Sequence, residues 1–173
     1  MDRPASTSPT VDGELLKAIG QVTINFSRLH AEVETFAWRL IGPNHRAGRI
    51  VTSGMTFGKL LELFEALFRT RKPDSGTRER FTTIIADLKA VNAERNKVFH
   101  SFWHPDGAGT ATRSKLGHKR GLMTAWSKRT TAPEMADFAE RIADVSWQFT
   151  QFMVRALDWE SDQRDPTEMR RPI

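Results

Sequence analysis

The stretch "DGELLKAIGQVTINFSRLHAEVETFAWRLIGP", residues 12–43, decides the fold class. Leu15, Ile19, Val22, Phe26, Leu29, Val33, Phe36 and Leu40 recur at alternating steps of four and three. Apolar side chains so spaced share one stripe, the seam of a long amphipathic helix, expected from about Asp12 to Ile41. Gly42 and Pro43 end it. Working outward, a short helical piece is expected over His45–Thr52. Phe57, Leu60, Leu61, Phe64, Leu67 and Phe68 then mark a second amphipathic helix, stopped near Lys72 by Pro73. Beyond the turn "PDSG", Phe81, Ile84, Ile85, Leu88, Val91, Val98 and Phe102 define a third, from about Gly76 to Trp103.

Thr131 followed by Glu134 has the spacing of a capping box, with Pro133 in the first turn, where its missing N–H is harmless. Met135, Phe138, Ile142, Val145, Phe149, Phe152 and Ala156 repeat the four-three rhythm on a last helix. Four such stripes predict an all-α, up-and-down bundle of four to five helices. Between its last two long helices, "TATRSKL" and "LMTAWSK" flank "GHKRG" and read as a small β-hairpin. The Ser/Thr/Pro-rich residues 1–11 and the charged residues 158–173 are expected to be disordered, leaving one domain over 12–157.

A chain of 173 residues suits a single domain with a real core. The absence of cysteine excludes disulfides, thiolate zinc sites and cysteine nucleophiles, and fits a reducing cytosol. No secretory leader pattern and no run of ~18 apolar residues is present, so a cytoplasmic protein without a membrane partner is expected. Net charge is +5, and its distribution says more than its size. From Gly107 to Pro133 there is no Asp or Glu, while Arg113, Lys115, Lys119, Arg120, Lys128 and Arg129 all fall there; the remainder sets 20 Lys and Arg against 21 Asp and Glu. So local a surplus suits a polyanion such as nucleic acid, or else a solvated basic loop.

The third stripe contains an anomaly. After Leu88 and Val91 the next seam position is Arg95, a permanent cation where an aliphatic residue belongs. Buried unpaired it is very costly, so it must meet an anion, a carboxylate such as Glu32 or Glu34, or a solvent-filled cleft. Asn96 and His100, four apart, share a face about 40° wide. Arg95 and His100 diverge by ~140°, so a common ligand must lie between them, on the Asn96 side. That restricts the site to an edge or a symmetric interface.

"RNKVFH", residues 95–100, matches the R-x(4–6)-H motif of HEPN domains, in the form with a polar residue after the arginine. The chain also resembles that family in its expected helical bundle, in the motif's place near the end of a long late helix, and in Trp103 soon after the histidine. The resemblance covers most of residues 12–157. Two other pairs have the spacing, Arg113 with His118 and Arg39 with His45, but Gly117 and Gly42–Pro43 interrupt them.

The resemblance implies a metal-independent endoribonuclease: a ribose 2′-OH attacks the neighbouring phosphorus, with no cofactor. His100 suits either proton role, and the planar Arg95 guanidinium suits charge on the phosphoryl oxygens. Asn96 would orient His100 or the phosphate. One histidine cannot start as both base and acid, so a homodimer with a composite site is expected. Arg113, Lys115, Lys119, Arg120, Lys128 and Arg129 would contact RNA phosphates, and Trp103 or Trp126 would stack on a base. Toxin or anti-phage roles typify the family, with an antitoxin or regulatory protein as partner. Two other readings stand beside it. His100, His104 and Asp106 have partial metal-site spacing, though Pro105 interrupts it and no HExxH glutamate is present. A non-catalytic module that dimerises and binds RNA, a nucleotide or a protein is the chief rival.

Overall fold

In the computed structural model, the described residues are 11–107, 109–119 and 122–163, without the side chains of 118, 119, 122 and 158–163. The elements, in order, are α1 (Gly13–Ile41), α2 (His45–Thr52), α3 (Phe57–Thr70), α4 (Ser75–Phe99), β1 (Phe102–Gly107), β2 (Thr110–Lys119), β3 (Leu122–Thr131) and α5 (Ala132–Gln163). The expected N-terminal segment lies outside the described residues up to 10, and the tail does so after 163. No helix among the described residues is long and apolar enough to cross a membrane.

The all-α expectation is corrected here. Five helices accompany a three-stranded antiparallel sheet of order β1-β2-β3, more than the small hairpin read from the sequence. β2 and β3 pair without interruption from Thr110↔Thr131 to Lys119↔Leu122. The added strand is β1, whose residues had been assigned to the end of the third helix and the loop after it. α4 instead stops at Phe99, and Phe102↔Ser114, Trp103↔Arg113 and His104↔Thr112 continue the sheet. Pro105 cannot extend a helix, but an edge strand tolerates its missing N–H. A bulge at Asp106 and the positive-φ glycines Gly107 and Gly109 then turn the chain into β2.

The chain forms two compact units, the described parts of Met1–Ser27 with Val91–Ala143 and of Arg28–Ala90 with Asp144–Ile173. α1, α4 and α5 each contribute one part to either. In the first unit, Leu15, Val22, Phe26, Val91, Val98, Met135, Phe138 and Ile142 are buried. The sheet adds Ala111, Arg113 and Thr130 from one face. Alternation puts Phe102, Leu116 and Met123 on the opposite face, and all three are exposed. The capping box forms as expected: Thr131 N–H donates to Glu134, and Glu134 N–H donates to Thr131 Oγ1.

The second unit is centred on phenylalanines. Phe68 stacks on Phe81 with ring centres 4.0 Å apart, and Phe64 meets Phe149 edge-on at 5.4 Å. Asn44 caps α2 by accepting from Ala47 N–H. Gly48 lets α2 approach Trp38, whose side-chain atoms would lie 2.8–2.9 Å from a Cβ at that position. The Trp38 indole donates to Thr52 Oγ1, which in turn donates to Glu34.

Candidate functional site

The C-terminal end of α4 carries Glu94 and Arg95 side by side, and their surroundings differ. Arg95 lies between buried Val91 and Val98 on the seam. Its guanidinium carbon sits 4.8 Å from the ring centre of Phe26 on α1 and 4.7 Å from that of Phe99, four residues further along α4. Two aromatic faces thus hold the cation in place of a carboxylate. One Nη donates to Asn96 Oδ1 at 3.1 Å, whereas the buried Nε has no partner among the described residues. Glu32 and Glu34 are engaged elsewhere: Glu32 accepts from Ser146 and Thr150, and Glu34 from Thr52.

His100 is the first residue after α4, not a member of it, although its N–H still donates to the Asn96 carbonyl at 3.0 Å. Its side chain is exposed and bonds to no described residue. Ser101 Oγ donates to the Lys97 carbonyl and Trp103 Nε1 to the Val98 carbonyl, which satisfies groups that the helix end leaves open. Arg95 and Asn96 therefore lie on the last turn and a half of α4, and His100 follows in the turn just after it. Phe99 between them and Phe102 just beyond are exposed.

Glu94 faces the sheet. Arg113 reaches it with one Nη at 3.3 Å and donates from Nε to Thr130 Oγ1 at 2.8 Å. The Arg113 guanidinium carbon lies 5.6 Å from the Trp103 ring and 5.5 Å from that of Trp126, and its other Nη is buried without a partner among the described residues. Burial raises the Glu94 pKa, but Lys97 and Arg113 together outweigh it and hold the carboxyl below its ordinary value.

The expected phosphate contacts divide accordingly. Arg113 is wholly buried, and Trp103 spends its indole N–H on α4. Lys128 pairs with Glu134 at 3.2 Å, and Arg129 with Asp106 at 3.9 Å while donating to Thr110. Lys115 remains on the surface with no ionic partner among the described residues, and Trp126, directly opposite it in register, is 38% exposed while its ring lies against Arg113. Arg120 and the Lys119 side chain lie outside the described residues. His104 bonds to Ser114, Asp106 accepts from Thr112, and among the described residues no three His, Cys, Asp or Glu side chains group closely enough to hold a metal ion.

Sequence reasoning missed Phe26, Phe99, Glu94 and Thr130. Phe99 alone left a signal, since i, i+4 side chains on a helix are neighbours. No protein-family model, curated protein or solved structure matches the chain.

Proposed function

We propose that the chain is a metal-independent RNA-cleaving protein in which Arg95, Asn96 and His100 act on a phosphodiester and a second copy of the chain completes the site. One observation carries this reading: the Arg95 guanidinium is fixed by two phenyl rings, tied to no carboxylate among the described residues, and followed five residues on by an exposed imidazole. Its second Nη, neither bonded to Asn96 nor buried like Nε, takes a phosphoryl oxygen and stabilises the charge that builds there. His100 takes the 2′-OH proton, and its counterpart from the second copy gives one to the 5′-oxygen. Asn96, already bonded to Arg95, orients the guanidinium. Exposed Phe99 and Phe102 beside His100 offer apolar surface for the pairing of two copies. The motif resemblance to HEPN proteins supports the same reading, and with it a toxin or defence role under the control of a partner protein.

The test is cleavage of structured and unstructured RNA in EDTA by the wild type, His100→Ala and Arg95→Ala. Cleavage by the wild type alone, from a species sedimenting as a dimer, is expected. The free His100 ring favours a second reading, a non-catalytic RNA-binding module, because no described group orients that base. A wild type that binds RNA and cuts none would establish it.

A further inference from the structure

The second unit contains a groove of about 480 Å³ lined by α4 and α5. Ring contacts fix the direction of its walls. Phe64 and Phe68 of α3 meet Phe149 and Phe152 of α5 in the same order. Against α4 the order reverses, since Glu65 pairs with Lys89 and Phe68 stacks on Phe81. α4 is therefore antiparallel to α5 in this unit, with Phe81 beside Phe152. Counted from that contact at ~1.5 Å per residue, Arg80 and Arg155 fall toward one end of the groove, with Asp87 and Trp147 roughly 10–12 Å away at the other.

Both ends are unusual. Trp147 is 65% exposed, although so large an apolar ring is mostly covered in folded proteins. Neither Arg80 nor Arg155 bonds or pairs with a described residue, so two guanidiniums line one end of the groove with no counter-ion among the described side chains. The carboxylate in the lining, Asp87, stands at the opposite end.

We infer that this groove binds single-stranded RNA, with a base stacked on Trp147 and a backbone phosphate one or two nucleotides away held by Arg80 and Arg155. Stacking on an exposed indole tolerates any base, and paired guanidiniums match phosphate. Asp87 repels a phosphate at the Trp147 end and accepts from an exocyclic amino group there, so base and phosphate are held at opposite ends of the groove. Gln148 and Gln151 add donors and acceptors for base edges. The ligand class rests on the RNA reading above, but the groove uses none of Arg95, Asn96 or His100.

The full chain carrying His100→Ala is titrated with a fluorescein-labelled eight-nucleotide single-stranded RNA, followed by anisotropy. In that background Trp147→Ala should raise Kd about ten-fold, with the salt dependence unchanged. Arg80→Gln with Arg155→Gln should raise Kd to a similar degree and flatten the slope of log Kd against log salt by about 1. All three side chains are exposed, so thermal melts should be unaltered. Absence of binding, or a Kd indifferent to these variants, overturns the inference. Displacement of the oligomer by equimolar AMP or by an acidic peptide overturns it as well, in favour of a mononucleotide or a protein ligand. Cleavage is scored separately with His100 intact: His100-dependent cleavage with Trp147-independent affinity removes this inference alone, and Trp147-dependent affinity without cleavage removes only the catalytic reading.

Discussion

Exchange of Arg113 for methionine tests whether the buried guanidinium stabilises the sheet or is only tolerated there. The side chain is fully buried between two indoles, and its counter-ion, Glu94, is 26% exposed and also pairs with Lys97 at 3.2 Å. Arg113→Met removes the charge together with its desolvation penalty, keeps an unbranched stem between the rings, and leaves Glu94 with Lys97. Its cost should be about 0–1 kcal/mol. Glu94→Ala does the reverse and strands a permanent cation in the interior. That should cost about 3 kcal/mol, the low end for a broken buried pair, because Thr130 and the two rings still hold the guanidinium. The double variant should cost less than Glu94→Ala alone, since no stranded charge remains. Urea unfolding followed by tryptophan fluorescence measures all three, with Trp103 and Trp126 reporting from the site itself. If Arg113→Met proved as damaging as Glu94→Ala, the reasoning would fail, and the ring and Thr130 contacts would outweigh the cost of burial.

Gly48→Ala should destabilise by roughly 1–2 kcal/mol, because a Cβ 2.8 Å from that of Trp38 forces α2 outward by more than the gain in helix propensity returns; an unchanged urea midpoint would count against the close approach. Thr131→Ala breaks the capping box of α5 and should cost about 1 kcal/mol, with Thr131→Ser recovering most of it. Acid should weaken the fold through Glu65, held below its ordinary value mainly by Lys89, and through Glu134, held there mainly by the Thr131 N–H. Their folded pKa values lie below the unfolded ones, so the stabilisation is complete above about pH 4.3 and is lost as pH falls through the folded values. The urea midpoint should therefore drop between about pH 5 and pH 3, and less so in Glu65→Gln.

The helices were legible because each carries its own signal. The seam from Leu15 to Leu40 marked α1 to within a residue, α2 spans His45–Thr52 as read, and Thr131 with Glu134 announced α5. β1 was hidden because Phe102 prolongs the α4 stripe by one more step, and because a short edge strand containing proline is defined only by β2, ten residues on. The role of Arg113 was illegible for a related reason. Counting charges assumes a surface position, whereas its interior place depends on Glu94, nineteen residues back, and on indoles from two other strands. Arg95 was recognisable as a misfit in its stripe, but the ring that Phe26 sets against it comes from α1, far back in the sequence.

The manner in which Arg95 is held separates its placement from the acidity of its surroundings. A carboxylate partner lets go of a guanidinium once it takes up a proton, and while ionised it competes with any incoming anion for the same donors. Benzyl groups do neither, since they have no basic atom to take up a proton and no lone pair to compete for the N–H donors. Phe26 and Phe99 thus hold the guanidinium through contacts that contain no titratable group of their own.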